Sequence, residues 1–287
     1  MTIGLAGHVA AVGLVGLDLA ARTERLRLLL GAAGQRIAGG EAFRANLLAD
    51  FGSAITPMRV GGEPARAAGL RMAGVSWPRV VAALATEVAV AAPVTVGVGV
   101  GLLAAFGGQW WRDAGLRVRQ SPGSIGSWVA MVVVVAGLAW WVRRRWAGHG
   151  GGSVAVAAPG SVADCPAPSR PGLAGGARIA GVAALLSAVN VLCRVSILPV
   201  LAWSAGDTTA IGTLAVGAFL LIYGQLVTPS PAGVGMVDAA FLAGGAGATD
   251  LGLLLAWRFY TTGVGAGLGG LVAATRLSQL RLGRRER

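Results

Sequence analysis

Six segments of this chain, 3–21, 80–106, 125–142, 179–204, 210–227 and 251–274, are almost purely apolar over about the length that a helix needs to cross a hydrocarbon core. In lipid an unpaired amide costs several kcal/mol, so the backbone of such a segment must satisfy itself within a helix. All six are therefore predicted as helices. The rest of the composition agrees: 55% of the 287 residues are hydrophobic and 13% are charged, about half the charged share of an ordinary soluble domain. The formal charge of +12 is carried by arginine alone. These arginines sit at the ends of apolar runs and not on a basic face interleaved with stacking aromatics, which argues against a nucleic-acid partner. Cys165, Cys193, His8 and His149 show no metal-ligand spacing, so no metal, disulfide framework or cofactor is expected.

One stretch occurs twice. Residues 51–70, FGSAITPMRVGGEPARAAGL, align without a gap on residues 223–242, YGQLVTPSPAGVGMVDAAFL, at a constant offset of 172. Pro57 in the first copy, and Pro229 and Pro231 in the second, interrupt apolar runs. Paired Gly/Pro-broken segments at matching places in two halves are the sequence mark of a transporter's binding site. Broken backbone at membrane depth is tolerated where it is buried in protein or lines a wet cavity, so an internal cavity is expected. The predicted fold is an all-α integral membrane protein, a polytopic helical bundle with two inverted repeats, each holding a re-entrant helical segment. The first repeat is assigned to 1–106, a connecting transmembrane helix to 107–147, and a Gly/Ala/Pro loop to 148–177. The second repeat takes 178–275 and a basic tail 276–287.

Arginine positions favour re-entrant motifs over full crossings. With both motifs re-entrant, the arginines between Arg22 and Arg44, the Arg143-Arg144-Arg145 cluster and the tail all fall in the cytoplasm. Arg112, Arg117 and Arg119 then fall outside. Three crossings separate the motifs, so the halves would be inverted, as expected of a carrier with a midplane site between repeats.

The motifs also carry the candidate chemistry. Arg59 and Arg66 offer permanently charged planar donors, with Glu63 able to pair with either, and Asp238 holds the matching place in the second motif. Helix starts after glycine turns, at Gly61 and Gly62 and at Gly233 and Gly235, would present free amides to an anion such as phosphate. Arg71 reads as an interfacial anchor. Asp18, Glu87, Arg194 and Arg258 are ionisable groups inside spans, each costing roughly 2.5–3.5 kcal/mol at a helix centre, so they should face the bundle interior. Arg258 could serve the site or pair with Asp238 or Glu87, Arg194 could line the cavity or bind helices together, and Asp18 should meet Arg22 or Arg25. Glu87 and Asp238 are the visible candidates for proton coupling. Gly97 with Gly101, and Gly263, Gly265, Gly267 and Gly269, have the spacing of close helix packing. No nucleophile, base and carboxylate set is visible, so enzymatic activity is not expected.

At these residues the chain resembles the transmembrane domain of the lysylphosphatidylglycerol synthase/flippase family. Pro57-x-Arg59-x-Gly61-Gly62 with Arg66, Leu70 and Gly74-Val75-Ser76 is similar to that family's first re-entrant motif. Pro229-Ser-Pro231-Ala232-Gly233-Val234-Gly235 with Asp238, followed by Arg258, is similar to its second, with Ala232 where a glycine and Asp238 where a glutamate is usual. The resemblance implies a bundle that moves an anionic or aminoacylated phospholipid between the leaflets of a bacterial inner membrane, with its C-terminus cytoplasmic. It is to the stand-alone membrane domain, so the chain is expected to move such a lipid and not to make it. The alternative is a membrane subunit that presents a lipid-linked substrate to a separate glycosyl- or aminoacyl-transferase. Expected partners are thus a lipid with an anionic headgroup, such a transferase, or a second copy of the chain.

Overall fold

The computed structural model describes residues 2–120, 173–206, 211–226, 238 and 251–285. The expected span 125–142, most of the expected loop, and Pro229, Pro231, Gly233 and Gly235 of the second motif lie outside the described residues. Among the described residues the regular structure is helical: α1 (Leu5–Ala32), α2 (Gly39–Ile55), α3 (Gly62–Met72), α4 (Trp77–Gln120), α5 (Leu173–Ser204), α6 (Ile211–Gly224), α7 (Leu251–Arg258), a π-helical turn (Phe259–Gly263) and α8 (Val264–Arg285). Among the described residues three helices are long and apolar enough to cross a membrane, Leu5–Ala32, Trp77–Trp110 and Gly175–Ser204, and Ile211–Gly224 is a shorter apolar helix.

The burial pattern is the reverse of a water-soluble protein's. Leu5, Val9, Val96, Leu185 and Leu271 stand 60% or more exposed, whereas Asp18, Arg25, Arg66 and Glu87 are 6% exposed or less. Apolar side chains face outward, where lipid solvates them, and charged ones turn inward to find partners. The chain is a membrane-embedded protein.

Several boundaries differ from expectation. The first span, expected to end at residue 21, runs on to Ala32, because Arg22 and Arg25 find carboxylates inside the bundle and need not leave it. They are therefore buried groups and not charges in a cytoplasmic loop. The expected loop stops short of 177, since α5 starts at Leu173. The last span is interrupted by the π-helical turn, and α8 continues to Arg285 through the expected tail. Helices α2 and α3 escape an apolar-window search because they carry Glu41, Arg44, Asn46, Asp50, Glu63, Arg66 and Arg71.

Two helices organise the rest. α1 and α5 pack antiparallel, the Gly4 amide donating to the Ser204 carbonyl at one end and Leu28 lying with Val182 at the other. One apolar cluster, around Trp257, Leu198, Leu201, Leu214 and Leu254, gathers near the start of α1 and the end of α5. A second, around Leu26, Leu30, Leu70, Val75 and Val80, gathers near the end of α1 and the start of α5. Asp18, Arg22 and Arg25 on α1, with Ser187, Asn190 and Arg194 on α5, form a polar layer between them.

The offset of 172 residues also relates helix boundaries. It carries the end of α1 (Ala32) onto the end of α5 (Ser204).

Of the glycines expected at close contacts, Gly265 and Gly269 make them, against α2. A Cβ on Gly269 would lie 2.0 Å from the Leu47 carbonyl oxygen, and one on Gly265 would lie 2.6 Å from Asp50 Oδ2. Gly97, Gly101 and Gly267 have nothing that close among the described residues. Gly269→Ala is therefore expected to push α8 off α2 and destabilise the protein by about 1–3 kcal/mol, as overpacking does, seen as a lower melting temperature in detergent. Gly267→Ala should leave the melting temperature unchanged or slightly raised.

Candidate functional site

The first motif folds as a helix, a sharp break and a second helix. Pro57 disfavours helical backbone at the preceding residue, and Thr56 ends α2 with φ −111° and ψ 143°. The Thr56 hydroxyl donates to the Gly52 carbonyl at 2.7 Å and accepts from the Gly61 amide at 2.8 Å, bridging the break. Met58 and Arg59 then adopt left-handed backbone, with φ of 53° and 57°. Two consecutive non-glycine residues in that region cost of order 1–3 kcal/mol each and are held by their surroundings, a pattern that concentrates at functional positions. Here the turn swings the Arg59 guanidinium across to Gln225, whose Oε1 accepts from Arg59 Nη1 at 2.8 Å. Gln225 immediately follows α6 and is the third residue of the second motif.

Gly61 and Gly62 do a different job from the one expected. Their amides are consumed inside the turn, by Thr56 Oγ1 and by the Arg59 carbonyl, so they offer no donors to an anion. They are needed for space: a Cβ on Gly62 would lie 2.1 Å from Ser53 Oγ, and one on Gly61 would lie 2.8 Å from the Gly52 carbonyl oxygen. The two glycines let α2 and α3 close into a tight hairpin.

Two ion networks make up the polar layer. In the first, Arg22 grips Asp50 with two bonds of 2.8 Å and sits 3.2 Å from Asp18. Asp18 also accepts from Asn190 Nδ2 and, at 3.2 Å, from Arg194 Nε. Burial alone would raise the Asp50 carboxyl, but Arg22, then Arg194 and Arg59, outweigh it and hold that carboxyl below its usual range. In the second network Glu87 on α4 accepts from both Arg25 and Arg66, and Arg25 donates to Ser187 Oγ at 2.9 Å. Five arginines, Arg22, Arg25, Arg59, Arg66 and Arg194, thus face three carboxylates, Asp18, Asp50 and Glu87. Among the described residues the arginines of this inner cluster outnumber its carboxylates, even with the largely exposed Glu63, 3.7 Å from Arg66, counted among them. Burial, and then the field of Arg194, pull the Arg59 guanidinium below its ordinary value, yet an arginine stays cationic in a protein.

Beside these networks lies a cavity of about 230 Å³, lined by Arg25, Arg59 and Arg194, by Thr95, Ser187, Asn190 and Tyr223, and by the apolar Ala91, Val191, Ile222 and Leu226. Pro93, between Ala91 and Thr95, takes an amide donor out of the α4 ladder at that wall. Cationic donors on one side and apolar side chains on the other suit a small anionic group attached to something greasy.

The expected site residues divide. Arg59 lines the cavity. Arg66 does not, being held behind it by Glu87 at 2.8 Å, with Glu63 3.7 Å away. Arg258 pairs with Asp238, its Nη2 and Nε donating to Oδ1 at 2.7 and 2.9 Å. Arg194 both lines the cavity and binds α5 to α1, and Asp18 meets Arg22 and not Arg25. Arg71 donates to the Val75 carbonyl at 2.8 Å and closes the turn after α3. Arg25 and Asp50 were not foreseen as part of the site. For Arg25 a signal exists: Asp18, Arg22 and Arg25 fall at i, i+4 and i+7, as do Ser187, Asn190 and Arg194 at i, i+3 and i+7, so each set makes a single helix face.

A comparison with protein families then decides the affiliation, because residues 5–277 match the family described as lysylphosphatidylglycerol synthase TM region. The chain belongs to that family. The match takes in the first motif, Asp238 and every residue of the cavity, and it brings with it a lipid-related function in a membrane. A comparison with curated proteins found no match.

Glu87→Ala would leave Arg25 and Arg66 without their shared carboxylate. Breaking such a buried pair is expected to cost about 3–5 kcal/mol, measured as a large fall in melting temperature, whereas Glu24→Ala, which breaks the exposed Arg27 pair, should cost under about 1 kcal/mol.

Proposed function

We propose that the protein binds an anionic or aminoacylated phospholipid by its headgroup and moves it between the leaflets of the bacterial inner membrane. The observation that carries this reading is the cavity itself, where three guanidiniums meet apolar side chains within a cluster in which, among the described residues, arginines outnumber carboxylates. Arg59 and Arg25 take the phosphate, Arg194 adds field, and Arg66 positions Arg25 through Glu87. Arg258 and Asp238 stand on the far path. The protein acts as a carrier and not as an enzyme.

Two inverted repeats with re-entrant motifs follow from the same reading. In support, helices matched by the 172-residue offset, α1 and α5, run antiparallel to each other. The offset also carries Arg66 onto Asp238, and Thr86, next to Glu87, onto Arg258. Each motif is therefore tied to its following long helix by an ion pair, Arg66 to Glu87 and Asp238 to Arg258, with the charges exchanged between the halves. The α2–α3 hairpin, of 17 and 11 residues, is short and polar enough to dip in and return. In this topology the C-terminus is cytoplasmic. Both candidate coupling carboxylates, Glu87 and Asp238, hold an arginine, so a proton taken up by either would release one.

The test is movement of a headgroup-labelled phosphatidylglycerol in proteoliposomes of purified protein. Arg59→Ala is expected to slow it about tenfold or more, the scale of truncating one partner of a buried charged hydrogen bond, while the exposed Arg36→Ala stays at the unmodified rate. Equal rates for Arg59→Ala and the unmodified protein would refute the proposal.

A further inference from the structure

We infer that the site, granted the lipid-binding reading above, selects a headgroup bearing negative charge alone and rejects one that carries an ammonium. A lipid headgroup esterified with a basic amino acid needs a carboxylate or a set of free acceptors for its cation. Among the described residues that line the cavity there is no aspartate or glutamate.

Among the described residues, the carboxylates of the two networks and Asp238 are all committed to arginine: Asp18 to Arg22 and Arg194, Asp50 to Arg22, Glu87 to Arg25 and Arg66, and Asp238 to Arg258. Glu24, Glu41 and Glu63 are partly or largely exposed and pair with Arg27, with Arg44 and Arg276, and with Arg66. Two neutral acceptors are engaged as well. Ser187 Oγ accepts from Arg25 and donates to the Ala183 carbonyl, and Gln225 Oε1 accepts from Arg59.

Donors, by contrast, are in surplus. Arg25, 5% exposed, keeps its Nε buried with no acceptor among the described residues, and Arg59 is met by an amide oxygen where Arg22, Arg25, Arg66 and Arg194 are met by carboxylates. A phosphodiester supplies what is missing, two anionic oxygens and one negative charge against an excess of positive ones. One added ammonium would cancel that charge, and the α- and ε-ammonium groups of a lysyl ester would reverse it, facing Arg25, Arg59 and Arg194 at close range. Apolar Ala91, Val191, Ile222 and Leu226 share the wall, which favours an anion that carries an acyl chain over a free ion.

Native mass spectrometry of the full-length protein, equilibrated with equimolar phosphatidylglycerol and its lysyl ester, tests this. Phosphatidylglycerol is expected to be retained about tenfold more, the scale of one like charge placed near an arginine. Gln225→Glu, which gives Arg59 a carboxylate, should erase most of that preference, and Arg59→Gln, which removes the charge, should do so by another route. Excess inorganic phosphate should not displace the bound lipid. Equal retention, or preference for the lysyl ester, overturns the selectivity and leaves lipid binding standing. Displacement by phosphate assigns the cavity to a free anion and overturns it too. Failure to retain any phospholipid overturns both this inference and the lipid-binding reading beneath it.

Discussion

A charge carried into a membrane must be met there, and the interior of this protein is arranged around that requirement. Glu87 is the clearest case. One carboxylate on α4 serves Arg25 from α1 and Arg66 from α3, so three helices are tied at a single point in a region where an unpaired ion is expensive. Asp18 and Asp50 do the same for α1, α2 and α5 through Arg22 and Arg194. Between them the two networks set the register of α1 on α5. They also divide the apolar packing into two clusters with a polar layer in the middle.

The networks are not electrically balanced, and the imbalance connects structure to function. If every buried arginine had a carboxylate of its own, the layer would be a structural device and nothing more. Arg59 departs from that rule. It reaches the layer from a strained turn, and its partner is the neutral Gln225. A turn that holds two non-glycine residues in left-handed backbone to present an incompletely neutralised cation to a cavity has the character of a binding element. Because Gln225 belongs to the second motif, this hydrogen bond ties the two motifs together.

Much of this was legible in the residues, for identifiable reasons. The span within α4 stands largely exposed and that within α5 lies partly in the apolar clusters, so both are apolar over long windows that report them directly. The Thr-Pro break announced the turn, and Arg59 within it was a natural candidate. The full length of α1 was hidden because Arg22 and Arg25 look like the end of a span when partners are unknown. Asp50 was hidden for the same reason, its partner Arg22 lying 28 residues away. Gly61 and Gly62 were assigned to anion binding because an isolated glycine turn followed by a helix does present amides. The Thr56 hydroxyl and the Arg59 carbonyl claim them first, and no local pattern foretells that competition. Gly97 and Gly101 share the spacing of Gly265 and Gly269, yet spacing alone does not say which face meets a neighbour.

The most direct measurement is an electron cryo-microscopy map of the protein in nanodiscs containing phosphatidylglycerol. The predicted result is headgroup density in the cavity, with phosphate oxygens within hydrogen-bonding reach of Arg59 and Arg25 and the acyl chains leaving past Ile222 and Leu226. A cavity filled by its own side chains, or occupied by an acyl chain with the phosphate outside the arginine cluster, would contradict it.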